Sequence, residues 1–418
     1  MFDKDKWDEI YHVLSANPIR TFLTAFGVFW GLFMLIVVMG AGKGLENGVT
    51  AEYQGRPTNS SFMWTMYTSK PYKGLPRGRS FNMRNGDVEA LRQNVDELDL
   101  LCPRNQLGGF GGSNNVIRGL RSGEFDVYGD YPEYIEIEPS DIIEGRFVNK
   151  TDIEEDRKVA VIGKRVYMDL FDPGEKAIGE YIQINGVYFM VVGIFDSFRS
   201  GEDAYEDTQN IHLPFTTFQR VFNYGDVVSW MAMTSKEGIP VSVMEDKVKH
   251  VLAGRHQVDP TDPRAFGSYD MEREFLRMNN LFTGIRGLAW IVGFFTLIAG
   301  VVGISNIMLV LVKERTKEIG VRRAMGATPW NITSQIMLEA LFLTSVAGFC
   351  GLFVGVWSIE SVRLALEGQQ SDSFQNPEVQ MSTILIAFGI LVFCGTLAGL
   401  IPARRAVSIK PIDALRSE

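Results

Sequence analysis

Three cysteines in 418 residues leave little scope for disulfide chemistry. Cys102 is the only one outside a long apolar run, and Cys350 and Cys394 sit inside such runs, so no disulfide framework can form within one folded domain. The four histidines, His12, His212, His250 and His256, are dispersed. His250 and His256 could approach each other, but no cysteine joins them, which argues against a zinc site. No G-x-x-x-x-G-K-[ST] occurs, so the phosphate cradle of nucleotide hydrolases is missing, and Gly174-Glu175-Lys176 is only a turn. No G-x-S-x-G is found and no Cys–His pair stands out. We therefore assign the chain no catalysis and no directly bound cofactor or metal. A net charge of −9 has the wrong sign for a nucleic-acid partner.

What the chain does have is a divided hydropathy. Its mean value of +0.02 is high for a soluble protein and low for a wholly membrane-embedded one. The apolar residues cluster: residues 21–42, 287–312, 340–359 and 381–403 carry no charge. A hydrocarbon core of about 30 Å takes roughly 20 helical residues, and lipid satisfies no exposed backbone group, so each stretch reads as a transmembrane helix. A cleaved signal peptide is the alternative for the first. That run exceeds the usual apolar length, and Asp3, Asp5, Asp8 and Glu9 precede it where such peptides carry positive charge.

Lys/Arg placement sets the orientation. Lys4, Lys6 and Arg20 precede the first span; Lys313, Arg315, Lys317, Arg322 and Arg323 follow the second; Arg404, Arg405, Lys410 and Arg416 follow the fourth. The loop between the third and fourth spans holds only Arg363. Both termini and the loop after span two are thus expected on the cytoplasmic side. The expected order is a cytoplasmic amphipathic segment (1–20), span one (21–42), an extracytoplasmic domain with its stalk (43–286), span two (287–312), a cytoplasmic segment (313–332), span three (333–361), a short extracytoplasmic loop (362–380), span four (381–402) and a cytoplasmic tail (403–418). In the first segment Phe2, Trp7, Ile10, Tyr11 and Leu14 share one helical face, as in a helix lying on the inner leaflet or packed on protein. Outside 43–286 the chain carries 13 residues of each sign, so the whole net charge belongs to the large domain.

That domain reads as mixed α/β. Strands are expected over 61–67, 97–102, 158–162, 210–214 and 227–233, and helices over 87–95, 164–171, 216–222 and 241–252. Asn185-Gly186 between two apolar runs predicts a hairpin over 181–195. The Gly-rich stretch 107–113 reads as a loop. Helical character over 45–53 and 271–286 continues spans one and two outward as a stalk. The predicted fold class is a four-span helical membrane protein with a large mixed α/β extracytoplasmic domain inserted between its first two spans.

The segment "KEIGVRRAMGATPW" (317–330) is too structured for a plain loop. Gly320 permits a bend, residues 321–325 suit a short helix, Gly326 favours a left-handed end, and Thr328 can cap a new helix opened by Pro329. Arg322 and Arg323 are expected to project from this knuckle, although charge alone would also serve positive-inside topology. Glu339 lies about three turns into span three, where an acid is costly. It reads as a gating carboxylate or as a partner of Arg323 or Arg405. Gly348, Gly351 and Gly355 have the small-residue spacing of close helix packing, with a dimer interface as one use. Pro402 is expected to end span four, with Arg404 and Arg405 anchoring it at the inner surface.

Several segments resemble one family. "KERTKEIGVRRAMGAT" (313–328) and "GLIPARRAVSIKPIDALR" (399–416) look like signatures of FtsX/MacB-type ABC transporter permeases, as does "NPIRTFLTAFGVFWG" (17–31). "PEYIEIEPSDIIEGRFVNKTDIEEDRKVAVIGKRVYMDLF" (132–171) and "IGEYIQINGVYFMVVGIF" (178–195) resemble the MacB-like periplasmic core. The resemblance is weakest over 53–105 and 197–207. It implies a dimer, homomeric or of paralogues, in a bacterial inner membrane, driven by a cytoplasmic ATP-binding subunit that holds ATP and Mg. It carries the ATPase-coupling role onto Glu318, Gly320, Val321, Arg322, Arg323, Gly326 and Thr328. MacB itself has a fused ATPase domain, which departs from this chain and implies a separate ATP-binding polypeptide here. An exporter of this type works with a periplasmic adaptor and a TolC-like outer-membrane channel. Lipoprotein release, or FtsX-like signalling to an envelope hydrolase, are the alternatives within the superfamily, and a membrane-anchored receptor is the alternative outside it.

Overall fold

The computed structural model describes residues 18–408 except 52, 54, 110, 111, 113, 200 and 367–373. The amphipathic face expected at the amino terminus, the end of the tail and part of the Gly-rich stretch lie outside the described residues. The chain forms two compact units, one of Met1–Val49 with Leu281–Glu418 and one of Thr50–Asn280.

The elements follow in chain order. Helix α1 is Pro18–Ala51. The second unit then runs β1 (Ser60–Thr65), β2 (Met83–Arg84), α2 (Asn85–Asn94), β3 (Leu98–Gln106), β4 (Asn114–Arg118), β5 (Arg121–Asp130), α3 (Tyr134–Ile137), β6 (Asp141–Gly145) and α4 (Lys150–Glu154). It continues with β7 (Val159–Gly163), α5 (Lys164–Leu170), β8 (Tyr181–Ile184), β9 (Val187–Asp196), α6 (Gly201–Asp207), β10 (Asn210–Pro214), α7 (Phe215–Val221), β11 (Val227–Val228), β12 (Trp230–Ser235), α8 (Val241–His256) and β13 (Phe266–Asp270). Four helices complete the chain: α9 (Met271–Glu314), α10 (Thr316–Ala324), α11 (Pro329–Leu366) and α12 (Met381–Val407).

The α/β unit has two halves. Strands β3, β12, β1 and β13 lie side by side in that order with antiparallel pairing. Because β1–α2–β3 and β12–α8–β13 are each one strand–helix–strand unit, this half is a ferredoxin-like split βαβ. Its core joins Met63, Met231 and Met233 from the strands to Leu91 of α2 and Met244, Val248 and Leu252 of α8. The chain between β3 and β12 builds the other half. There β7, β9, β8, β4 and β5 pair in succession and β10 pairs with both β5 and β7, closing a six-stranded ring. Val116, Phe125, Val127, Ile162, Phe189 and Ile211 fill it and are buried.

The expected hairpin is present as β8–β9. Asn185 and Gly186 both have positive φ, 42° and 89°, the backbone of a type I′ turn. The β4–β5 hairpin, β6, α6 and β13 had no counterpart in the sequence reading. Gly119 (φ 59°) turns β4 into β5 within "RGLR", where flanking arginines hide the apolar alternation.

In the other unit α1, α9, α11 and α12 are each long and apolar enough to cross a membrane. Helix α1 continues to Ala51, and α9 runs unbroken over 44 residues, roughly 66 Å at 1.5 Å per residue. Both pass well beyond their charge-free stretches, as the stalk expectation required. Arg286 of α9 reaches Glu46 of α1 at 3.0 Å just past those stretches. Val28, Leu32 and Ile36 of α1 pack with Leu297 and Ile304 of α9 and Leu391 of α12. Phe295, Phe349, Phe353, Trp357 and Phe393 point outward, as residues facing lipid do.

Two expectations change here. Pro402 does not end the last helix, which continues to Val407 with Pro402 buried inside it. A proline forfeits one backbone hydrogen bond, and neighbouring helices make that tolerable in a bundle. Gly348, Gly351 and Gly355 are used within the chain. A Cβ on Gly351 would lie 2.6 Å from the Phe29 carbonyl oxygen, one on Gly348 would meet Leu391 at 2.0 Å, and one on Gly355 would meet Ile36 at 3.0 Å. These glycines bring α11 against α1 and α12, so they are not left over for a dimer interface.

Candidate functional site

The knuckle is built by breaks on both sides of α10. Arg315 (φ −96°, ψ 15°) interrupts the helix between α9 and α10. Gly326 at φ +97° takes the left-handed conformation that favours glycine and ends α10. The Asn331 amide lies 3.4 Å from the Thr328 hydroxyl oxygen, so Thr328 caps α11 and Pro329 opens it. The expected bend at Gly320 is absent: Gly320 is buried within α10, and the turn falls five residues earlier at Arg315.

The two arginines face inward rather than projecting. Arg322 donates to Gln335 Oε1 of α11 at 3.0 Å and to Glu318 Oε1, one turn back, at 2.7 Å. Arg323 donates to the backbone oxygen of Val407, at the end of α12, at 2.6 Å. With the guanidiniums holding α10 to the bundle, its outward face carries Lys317 and Glu318 together with apolar groups. Val321 is 42% exposed, Met325 77% and Trp330 74%. Sequence reading missed Met325 and Trp330; their signal was a large apolar side chain on either side of the Gly-Ala-Thr-Pro turn. Glu339 is buried, and the base beside it is Arg315, with Nη1 at 3.4 Å from Oε1. Arg315 is a partner that the sequence, which offered Arg323 or Arg405, did not suggest. Arg404 and Arg405 are exposed in the last turns of α12.

The α/β unit holds a separate cavity of about 600 Å3 where its two halves meet. Its floor is Arg104 of β3, buried between the Tyr134 ring (3.8 Å) and the Tyr128 ring (4.3 Å). The Arg104 guanidinium donates to both oxygens of Asp130 and to the Tyr134 hydroxyl, while His212 Nδ1 lies 2.6 Å from Asp130 Oδ2. Burial pushes the Asp130 carboxyl up, but the adjacent Arg104 and His212 outweigh it and hold the group below the usual carboxylate range. Burial likewise opposes ionisation of Glu138, and Arg56 and Arg104 overcome it. Around the rim Arg56 pairs with Glu138 and Arg199 with Asp207. The charges here satisfy one another and fasten β3, β5, β10 and α3 together. His250 and His256 do not form a pair: His256 Nε2 sits 2.7 Å from Asp87 Oδ2, and His250 is exposed. Among the described residues no three His, Cys, Asp or Glu side chains converge as metal ligands would.

With this geometry in view, comparison with known proteins places the chain. Residues 21–251 match the model of the MacB-like periplasmic core domain, and residues 290–411 match that of the FtsX-like permease C-terminal region. The chain belongs to the MacB-like permease family, and it is a multi-pass membrane protein of the ABC transporter permease class. It is 29% identical over 409 residues to the pyoverdine export ATP-binding/permease protein PvdT of Pseudomonas putida, covering 98% of this chain and 59% of the relative. It is 26% identical over 422 residues to the macrolide export ATP-binding/permease protein MacB of Bdellovibrio bacteriovorus, covering 98% and 61%. The chain thus spans about three fifths of the length of these relatives. Among solved structures, the periplasmic region of MacB from Actinobacillus actinomycetemcomitans aligns with a TM-score of 0.43 at 16% identity, over 55% of this chain and 96% of that one.

Proposed function

We propose that this chain is the permease component of a MacB-like exporter, in which α10 and the turn after it relay ATP hydrolysis by an ATP-binding partner to the α/β domain. The observation that carries this reading is the construction of the knuckle. A short helix is broken at Arg315 and Gly326, held from behind by Arg322 and Arg323, and left with Val321, Met325 and Trp330 facing out. A short, fixed helix that exposes Val321 and Met325 beside Lys317 and Glu318 has the form of a docking element, and aromatic and methionine side chains are enriched at such contacts. Glu318, Gly320, Gly326 and Thr328 shape that element rather than touch the partner. ATP and Mg are held by the ATP-binding partner. The relatives' names, each an export ATP-binding/permease protein, support export as the activity. The assembly is a dimer in a bacterial inner membrane with both termini cytoplasmic, joined on the outer side by an adaptor and a TolC-like channel. The positive-inside pattern supports that orientation.

The test is purification of the tagged chain from its native membrane in mild detergent, with mass spectrometry and Mg·ATP turnover of the complex. Alongside it runs a Val321→Glu, Met325→Glu variant. We expect an ATP-binding protein to accompany the wild-type chain and its yield to fall at least tenfold with the variant. A chain that captures none, even after crosslinking, and hydrolyses no ATP overturns the reading. An unchanged yield with the variant moves the contact away from the apolar face.

A further inference from the structure

A run of polar side chains links α10 and α11, buried at Glu339 and exposed at Glu318. It starts at Glu339, 5% exposed in α11, and passes to Arg315 at 3.4 Å. From Arg315 it reaches Glu318 at 3.9 Å, then Arg322 at 2.7 Å, then Gln335 of α11 at 3.0 Å. The chain of contacts leaves α11 at Glu339 and returns to it at Gln335, one turn away. Met308, Val312, Ile319, Ile332 and Ile336 wall the small void around it, about 30 Å3, room for a single water.

We infer that the Arg315–Glu339 pair is the positioning contact that sets the direction of the coupling helix against α11. This inference rests on the coupling function proposed above. Arg315 is the residue at which α9 stops and α10 begins, so its backbone is the hinge and its side chain is the strut. The other ties of α10, Arg322 to Gln335 and Arg323 to the Val407 carbonyl, sit in its carboxyl-terminal half. Its amino-terminal half is held by Ile319, buried in the bundle core, and by the Arg315–Glu339 pair, so loss of the pair loosens the end at which the helix direction is set. Glu339 is buried, so taking the Arg315 guanidinium away from it weakens the charge pairing of a carboxylate in an apolar helix, where that is costly. An acid three turns into a membrane helix is explained by this contact: the carboxylate must lie deep enough to draw the hinge arginine inward. Movement delivered to α10 then passes through the pair into α11 as well as along α9.

The experiment uses the full chain with its native ATP-binding partner in nanodiscs. Spin labels go on Lys317→Cys and Leu338→Cys, both exposed, after Cys102, Cys350 and Cys394 are replaced by serine. Distances are read beside Mg·ATP turnover. Glu339→Gln and Arg315→Gln are expected to broaden the label-to-label distribution and to lower turnover at least fivefold while the partner stays bound. The exchange Arg315→Glu, Glu339→Arg is expected to restore a narrow distribution. A narrow distribution and full turnover in Glu339→Gln overturn the inference. If the single variants fail to reach the membrane, the exchange decides: recovery of a folded, narrow-distribution chain supports the pair, and failure like that of the singles overturns it. Loss of the partner from the wild-type chain would sink the coupling reading instead, and the label distances would still judge the pair.

Discussion

Two residues show how sharply single positions are constrained in the two units. Gly351 lets α11 approach the backbone of α1, and a Cβ there would press on the Phe29 carbonyl at 2.6 Å. Backbone cannot swing aside as a side chain can. Gly351→Ala should therefore destabilise the bundle by about 1–3 kcal/mol, the range for overpacking. Gly389→Ala, with nothing within 4 Å, should be neutral or slightly stabilising. Thermal unfolding of both variants in one detergent checks the contrast. In the α/β unit the Asp87 carboxylate accepts from the Arg84 amide and also meets Arg255 and His256. Burial opposes its ionisation, yet those bonds bring its pKa down to about 2 from 3.8. The depressed value means that the ionised form stabilises the fold above about pH 4. That stability is lost as pH falls from about 4 to about 2, some 2 kcal/mol in all. Asp87→Asn should unfold more readily at pH 7 and lose part of the acid dependence seen in wild type between pH 4 and 2. Equal pH dependence in both proteins would remove Asp87 from the account.

At the scale of elements, the knuckle shows what a sequence can and cannot reveal. Gly326, Thr328 and Pro329 mark local backbone chemistry, and all three take the expected conformations. The start of α10 was misplaced because glycine permits a bend but does not compel one, and no turn residue marks the break at Arg315. The outward arginines were misplaced because their partners, Gln335 and the Val407 carbonyl, lie 13 and 84 residues away. Strong local signals also exposed the β8–β9 hairpin. The β4–β5 hairpin escaped because half-buried Arg118 and exposed Leu120 and Arg121 surround a lone glycine. The cavity floor of Arg104, Asp130, Tyr134 and His212 was illegible, since four separated elements converge there with no motif between them. Gly326 offers a direct check at this scale. Forcing a Cβ into φ +97° costs roughly 1–2 kcal/mol. Gly326→Ala should lower bundle stability by that amount and weaken capture of the ATP-binding partner. Gly326→Asn, better suited to left-handed backbone, should fall between alanine and wild type in both measurements.

For the whole molecule, the decisive element is α9, which contributes residues to both compact units without a break. A continuous helix resists bending and so can carry displacement along its axis, whereas a flexible linker would dissipate it. Gly284 and Gly287 lie along α9 with open space around them, so substitutions there act through helix stiffness alone and not through lost packing. Gly284→Pro removes a backbone hydrogen bond and kinks the helix, at about 3 kcal/mol. Gly284→Ala does the reverse and strengthens it by roughly 1 kcal/mol. If α9 transmits the ATP-driven movement, Gly284→Pro leaves the ATP-binding partner bound and Mg·ATP turnover running, but export fails. Gly284→Ala then keeps both. Export is read as accumulation of cargo or loss of tolerance in cells carrying each variant in place of the native chain. Full export by a membrane-inserted Gly284→Pro chain would show that helix continuity is not the route, and would leave α1, through Glu46 and Arg286, as the element to break next.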